Sequence, residues 1–146
     1  MTQVGWAIRF VEDDNTMMHL NVLRKNKWVL WGQWKRAGAT GHFSEATKQA
    51  MNECDDCHIY AIGSSTVWDM HVVKVMTAEE IKAKHLEYLI PEYYNVDTDC
   101  YCWYLIDNIQ TYSDKSILTD MYRASGAPLL KNLAQIAGNK PWRIYK

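Results

Sequence analysis

Runs of aromatic and β-branched residues recur along this chain, and turn residues rather than evenly spaced helices separate most of them. Gly5-Trp-Ala-Ile-Arg-Phe-Val11 reads as a strand closed by Glu12-Asp-Asp-Asn15. Lys27–Trp31, His58–Ile62, Val67–Met76 and Cys100–Ile109 read as further strands, with Pro141–Tyr145 as a final extended segment. Met17–Arg24 fits a helix or a strand equally. Ser44 has the chemistry of an N-cap, with Glu45 in the first turn of a helix reaching about Glu53. Thr77 opens a second helix with Glu80 three residues on, which must end before Pro91. Ser116–Ala124 suits one or two helical turns, and Pro128–Ala137 a third helix stopped by Gly138. No βαβ rhythm organises these elements. The expected fold is therefore α+β: a small mixed or antiparallel β-barrel of five or six strands with about three flanking helices.

At 146 residues the chain suits one domain, 1–146, large enough to bury a core without staples. Hydrophobic residues at 48% and charged residues at 23% exclude disorder as its main state. No apolar run approaches a membrane span, and Met1–Phe10 lacks the basic start and apolar stretch of a secretory signal. The expected location is cytoplasmic, with no membrane partner.

The net charge of -1 conceals a division. Asn15–Ser44 carries five basic residues (Arg24, Lys25, Lys27, Lys35, Arg36) and no acid. Met121–Lys146 carries another five (Arg123, Lys131, Lys140, Arg143, Lys146), again without an acid. Between them, 14 acids face five lysines. If the two basic segments meet, Lys27, Lys35, Arg36 and Arg143 share one positive face on an acidic body; otherwise they are merely solvated.

Seven Trp and nine Tyr against two Phe form an unusual aromatic set. These rings combine an apolar face with a polar handle, which suits half-buried surfaces and ligand cages. Most of the indoles are needed for packing, leaving two or three for a pocket. Cys54-Asp-Asp-Cys57 and Cys100-Tyr-Cys102 have spacings able to share a metal. However, Cys100 and Cys102 alternate within a strand-like run, where small thiols serve as core residues. Structural thiols are the preferred reading, and no metal or cofactor is assigned.

The order Trp28-Val-Leu-Trp31, a basic glycine-containing loop, His58-Ile-Tyr-Ala-Ile-Gly63 and the Val67–Met76 strand is distinctive. Ile90-Pro-Glu-Tyr-Tyr94, Trp103-Tyr-Leu-Ile-Asp107 and Pro141-Trp-Arg143 follow it. Together they resemble the PUA-like superfamily of small β-barrels, especially its EVE, YTH and ASCH branches, over about residues 25–110. Two departures stand out: EVE-like domains usually pass almost directly from the loop to the next strand, whereas a helix at about 44–53 intervenes here, and Gly32, Lys35 and Thr40 have the wrong spacings for the ASCH motif, whose final Arg is missing.

The leading expectation is a non-catalytic module recognising a nucleobase of DNA or RNA, a modified base included. A base taken from its stack needs flat aromatic walls and a few edge-reading hydrogen bonds. Trp31, Trp34 and Trp68 are the candidate walls, and Ser64 joins them as a ligand-binding candidate. Lys35, Arg36 and Arg143 are candidates for the flanking phosphates. The resemblance implies a pocket between the barrel strands and the loop after Trp31. Trp31 is expected to point inward and Trp34 to stand at the pocket rim, since Lys35 and Arg36 beside it require water. Two alternatives come from other classes: an ASCH-like hydrolase or ribonuclease using Lys35, Thr40 and a carboxylate, and an accessory or viral interaction factor using its acidic face. No phosphate loop, dinucleotide fingerprint, zinc-protease motif or serine elbow is present in the sequence.

Overall fold

A computed structural model describes residues 1–35, 41–136 and 140–146. Its strands are β1 (Gln3–Arg9), β2 (Val29–Trp34), β3 (Cys57–Ile62), β4 (Val67–Met76), β5 (Cys100–Tyr112) and β6 (Trp142–Tyr145). The helices are α1 (Asp14–Asn26), α2 (Glu45–Glu53) and α3 (Ala78–Ala83). All six strands join one mixed sheet in the order β2-β5-β4-β3-β1-β6, parallel only between β1 and β3.

The α+β architecture is as expected, but the sheet does not close. Among the described residues no ladder joins β2 to β6. The free edge of β6 is partly satisfied by the tail: Tyr122 N donates to Tyr145 O at 2.7 Å, and Tyr145 N returns a bond to Tyr122 O at 2.8 Å. Those backbone groups are no longer free to meet β2. The open order also separates the residues expected to sit together on one basic face. Lys35 follows β2 at one edge, Arg143 lies on β6 at the other, and Lys27 caps α1 before β2 begins. Arg36 lies outside the described residues.

Alternation sends the sheet's side chains to two cores. Trp6, Ile8, Trp31, Ile59, Met70 and Ile106 belong to the larger one, which α1 covers with Leu20 and Leu23 and α2 with Met51. The opposite face is split. Ile62, Val67 and Ile144 pack beneath Leu118, Met121 and Leu129 of the tail. Leu30, Met76 and Trp103 pack beneath Ile81 of α3 and Leu89.

The ambiguous segment after Asn15 is helical because its ends are well capped. Asp13 Oδ1 accepts from Thr16 N at 2.8 Å, and Lys27, left-handed at φ 68°, donates its N–H to Leu23 O. Thr77 and Glu80 form a reciprocal capping box for α3. The two tail helices shrink to 3-10 segments, Ser116–Leu118 and Leu129–Gln135. In the second, Asn132 has non-helical angles and its side-chain amide donates to Pro128 O at 2.7 Å, taking a carbonyl from the helical ladder. Gly138 lies outside the described residues.

Candidate functional site

β1 and β2 end beside one another around a cleft of about 650 Å³. Phe10, Trp31, Trp34, Tyr93 and Tyr94 supply its aromatic lining, and Arg9, Asp13, Asn15, Thr16, Gln33 and Lys35 its polar groups. A register shift between Gln33 and Trp34 interrupts the β2–β5 ladder at this rim. Such irregularities re-aim side chains beside functional sites.

Two aromatic groups build the walls. Trp31 is only 4% exposed. His19 stacks on it at 4.2 Å, and Phe10 and Trp68 meet it edge-on at 5.7 and 5.9 Å. Trp34 is 39% exposed and stacks on Tyr94 at 4.9 Å, while Tyr94 stacks on Tyr93 at 4.2 Å. The two indoles thus adopt the inward and rim positions suggested by the charges after Trp34.

A hydrogen-bonded chain fixes the cleft floor. Gly32 N donates to Tyr94 Oη at 3.2 Å, and that hydroxyl lies 3.0 Å from His19 Nε2. His19 Nδ1 lies 2.8 Å from the Thr16 carbonyl, which can only accept, so Nδ1 carries the proton and Nε2 accepts from Tyr94. Burial pushes the His19 pKa down to about 4, which keeps the ring neutral at pH 7. Gly32 is required by close packing: a Cβ there would sit 2.4 Å from Cys100 Sγ and 2.9 Å from Tyr94. Below the rim, Tyr104 Oη donates to the buried Gln33 Oε1 at 2.7 Å.

The other sequence candidates are dispersed. Lys35 lines the cleft beside Trp34. Trp68 is buried in the larger core, behind Trp31 and Phe10, and reaches a neighbouring depression instead. Ser64 belongs to the β3–β4 turn, where its hydroxyl donates to Glu12 Oε2 at 3.0 Å. The same carboxylate accepts from Ser65 N and Thr66 N at 2.9 and 2.7 Å. Arg143 lines a separate cleft with Arg123 and Trp142. Thr40, named for the hydrolytic alternative, lies outside the described residues with Arg36.

Sequence reasoning missed Phe10, Asn15, His19, Gln33 and the Tyr93–Tyr94 pair. The adjacent tyrosines were a visible signal, since two amphipathic rings in an otherwise polar turn seek partial burial. His19 carried no local sign of its role. A second unforeseen constellation crosses the sheet between its two outer packing clusters. His58 Nδ1 lies 2.6 Å from Asp69, and His71 Nδ1 lies 2.6 Å from Asp107. Asp56 Oδ1 approaches both Nε2 atoms, at 3.0 and 3.4 Å. Asp69 leads the causes that raise the His58 pKa.

Burial pushes the Cys57 and Cys102 thiols up to about 12, and both lie in the larger core. They are protonated packing residues at neutral pH. Among the described residues, no group of three or more His, Cys, Asp or Glu side chains is arranged to hold a metal ion. No described helix is long and apolar enough to cross a membrane.

No curated protein and no solved structure shows significant similarity to this chain. The sequence pattern of the Pua-like family, however, matches residues 9–138, spanning β2–β5 and the aromatic cleft. The chain belongs to the PUA-like family.

Proposed function

We propose that this protein is a nucleic-acid-binding module that receives one unstacked nucleobase in the cleft at the ends of β1 and β2. Family membership supports a domain of the RNA-binding type at the coarse level. The observation that carries the finer reading is the exposed Trp34 face backed by Tyr94 and Tyr93 in a cleft of about 650 Å³. A stacked backing holds the indole in place, so ordering it costs little when a base arrives. Asn15 offers an amide for reading a base edge, and Lys35 stands where a flanking phosphate needs a cation. Recognition of a modified base and a cytoplasmic setting belong to the same proposal.

Base–aromatic stacking contributes about 1–3 kcal/mol, so Trp34→Ala is expected to weaken binding roughly 5- to 150-fold. Fluorescence titrations with modified and unmodified RNA and DNA oligonucleotides at fixed salt test this, alongside a melting curve for the variant. No binding of the wild type to any oligonucleotide overturns the proposal. Unchanged affinity with a large loss of stability would make Trp34 a packing residue only.

A further inference from the structure

Arg143 has no place in the aromatic cleft, but it is not isolated. It lines a second cleft of about 490 Å³ with Arg123, Lys140, Thr47 and Ser125. No Asp or Glu belongs to that lining. Arg123 is pre-positioned: its guanidinium carbon lies 4.1 Å from the Trp142 ring centre, and Nη1 donates to Gln135 Oε1 at 2.7 Å. Lys140 and Arg143 join no ion pair among the described residues.

An independent observation comes from β1. Trp6 also lines this cleft, is 3% exposed, and its Nε1 is buried without a hydrogen-bond partner among the described residues. An indole N–H can only donate, and an unsatisfied buried donor is costly. The lining therefore combines three cations and three hydroxyls, those of Thr47, Ser125 and Tyr145, with an indole whose N–H is unused. A phosphate, rich in acceptor oxygens and negatively charged, complements that chemistry.

We propose that this second cleft is a phosphate-binding subsite that grips the sugar–phosphate backbone of a nucleic acid. Resting on the proposed function above, the inference extends the binding surface from the aromatic cleft to the opposite sheet edge. β1 connects the two sites on one face, with Trp6 lining one and Phe10 the other, about 13 Å apart along the chain. A single strand a few nucleotides long bridges that distance. The acid-free composition of Met121–Lys146 then acquires a purpose. Three of its cations, Arg123, Lys140 and Arg143, supply salt-dependent affinity independent of base identity.

The test uses a fluorescein-labelled oligouridine about 12 nucleotides long, within the usual range of single-strand sites. Affinity is measured across a series of salt concentrations for wild type, Trp34→Ala and the double variant Lys140→Gln/Arg143→Gln. Both altered cations are exposed, so the double variant is expected to fold. It should lower the slope of log affinity against log salt by about 1.4, while Trp34→Ala lowers affinity at an unchanged slope. An unchanged slope in the double variant overturns this inference, while loss of affinity in Trp34→Ala still supports the aromatic cleft. The reverse pattern retains the phosphate subsite and removes the base pocket. A parallel NMR titration follows the Trp6 indole N–H. Its movement with oligouridine supports the proposal, whereas a stationary signal overturns it. Tighter binding of inorganic pyrophosphate than of oligouridine at this indole also overturns it, in favour of a small-anion site.

Discussion

His19 shows how one side chain links the cleft to stability. Its ring stacks on Trp31 while its two nitrogens join Thr16 and Tyr94. Because its folded pKa is lowered to about 4, the unfolded chain takes up the proton first as pH falls. This residue's contribution is therefore complete above about pH 6.5 and is lost between about pH 6.5 and 4, by about 3 kcal/mol. Urea titrations over that range should show the loss, and His19→Gln should flatten much of it. His58 has the opposite sign. Its raised pKa gives stabilisation that is present in acid and lost as pH rises through the folded value. Following both ring signals by NMR against pH should show His58 titrating above the ordinary histidine value and His19 well below it.

Gly32 could be weighed in the sequence against a family motif, but not as the point where Tyr94 and Cys100 converge. Sequence neighbours do not predict which distant rings approach a backbone. Gly32→Ala must push Tyr94 or Cys100 away, breaking the Gly32–Tyr94–His19 chain. It should lower stability by about 1–3 kcal/mol and weaken oligonucleotide binding, as measured by denaturation and the same titrations.

At the scale of elements, the β3–β4 hairpin is organised by a residue outside it. Glu12 receives the Ser64, Ser65 and Thr66 hydroxyls and two turn amides, and Gly63 leaves room for that carboxylate. Thr66 leads the hydrogen bonds that hold the Glu12 pKa down to about 2. That stabilisation is present above about pH 4.5 and lost as pH falls toward 2. Solvent screens so exposed a group, so Glu12→Gln should cost less than about 1 kcal/mol in global stability. Its clearer effect should be faster amide exchange at Ser65 and Thr66. The strands on either side were readable from the sequence, and β4 has its full expected extent, Val67–Met76. Glu12's grip was not readable, because more than fifty residues separate its carboxylate from the turn.

For the whole molecule, the tail is part of the core rather than an appendage. Leu129 and Ile144 are fully buried in the cluster that covers one half of the sheet's second face. Leu129→Ala and Ile144→Ala should each cost about 2–5 kcal/mol through lost burial and residual cavity. Chemical denaturation should nevertheless retain one transition for fluorescence and circular dichroism if the sheet and tail unfold together. Strand identity, the cap of α2 and the capping box of α3 followed from local patterns, since short-range sterics and hydrogen bonding dictate them. The inward Trp31 and rim Trp34 likewise followed from the charges next to Trp34. Tertiary structure alone decided that Trp68 backs the cleft, that Ser64 serves a turn, and that Arg143 joins Arg123 at the far sheet edge. The physical reason is strand order: it arises from long-range pairing and burial across the whole chain, whereas spacing and charge specify only neighbouring residues.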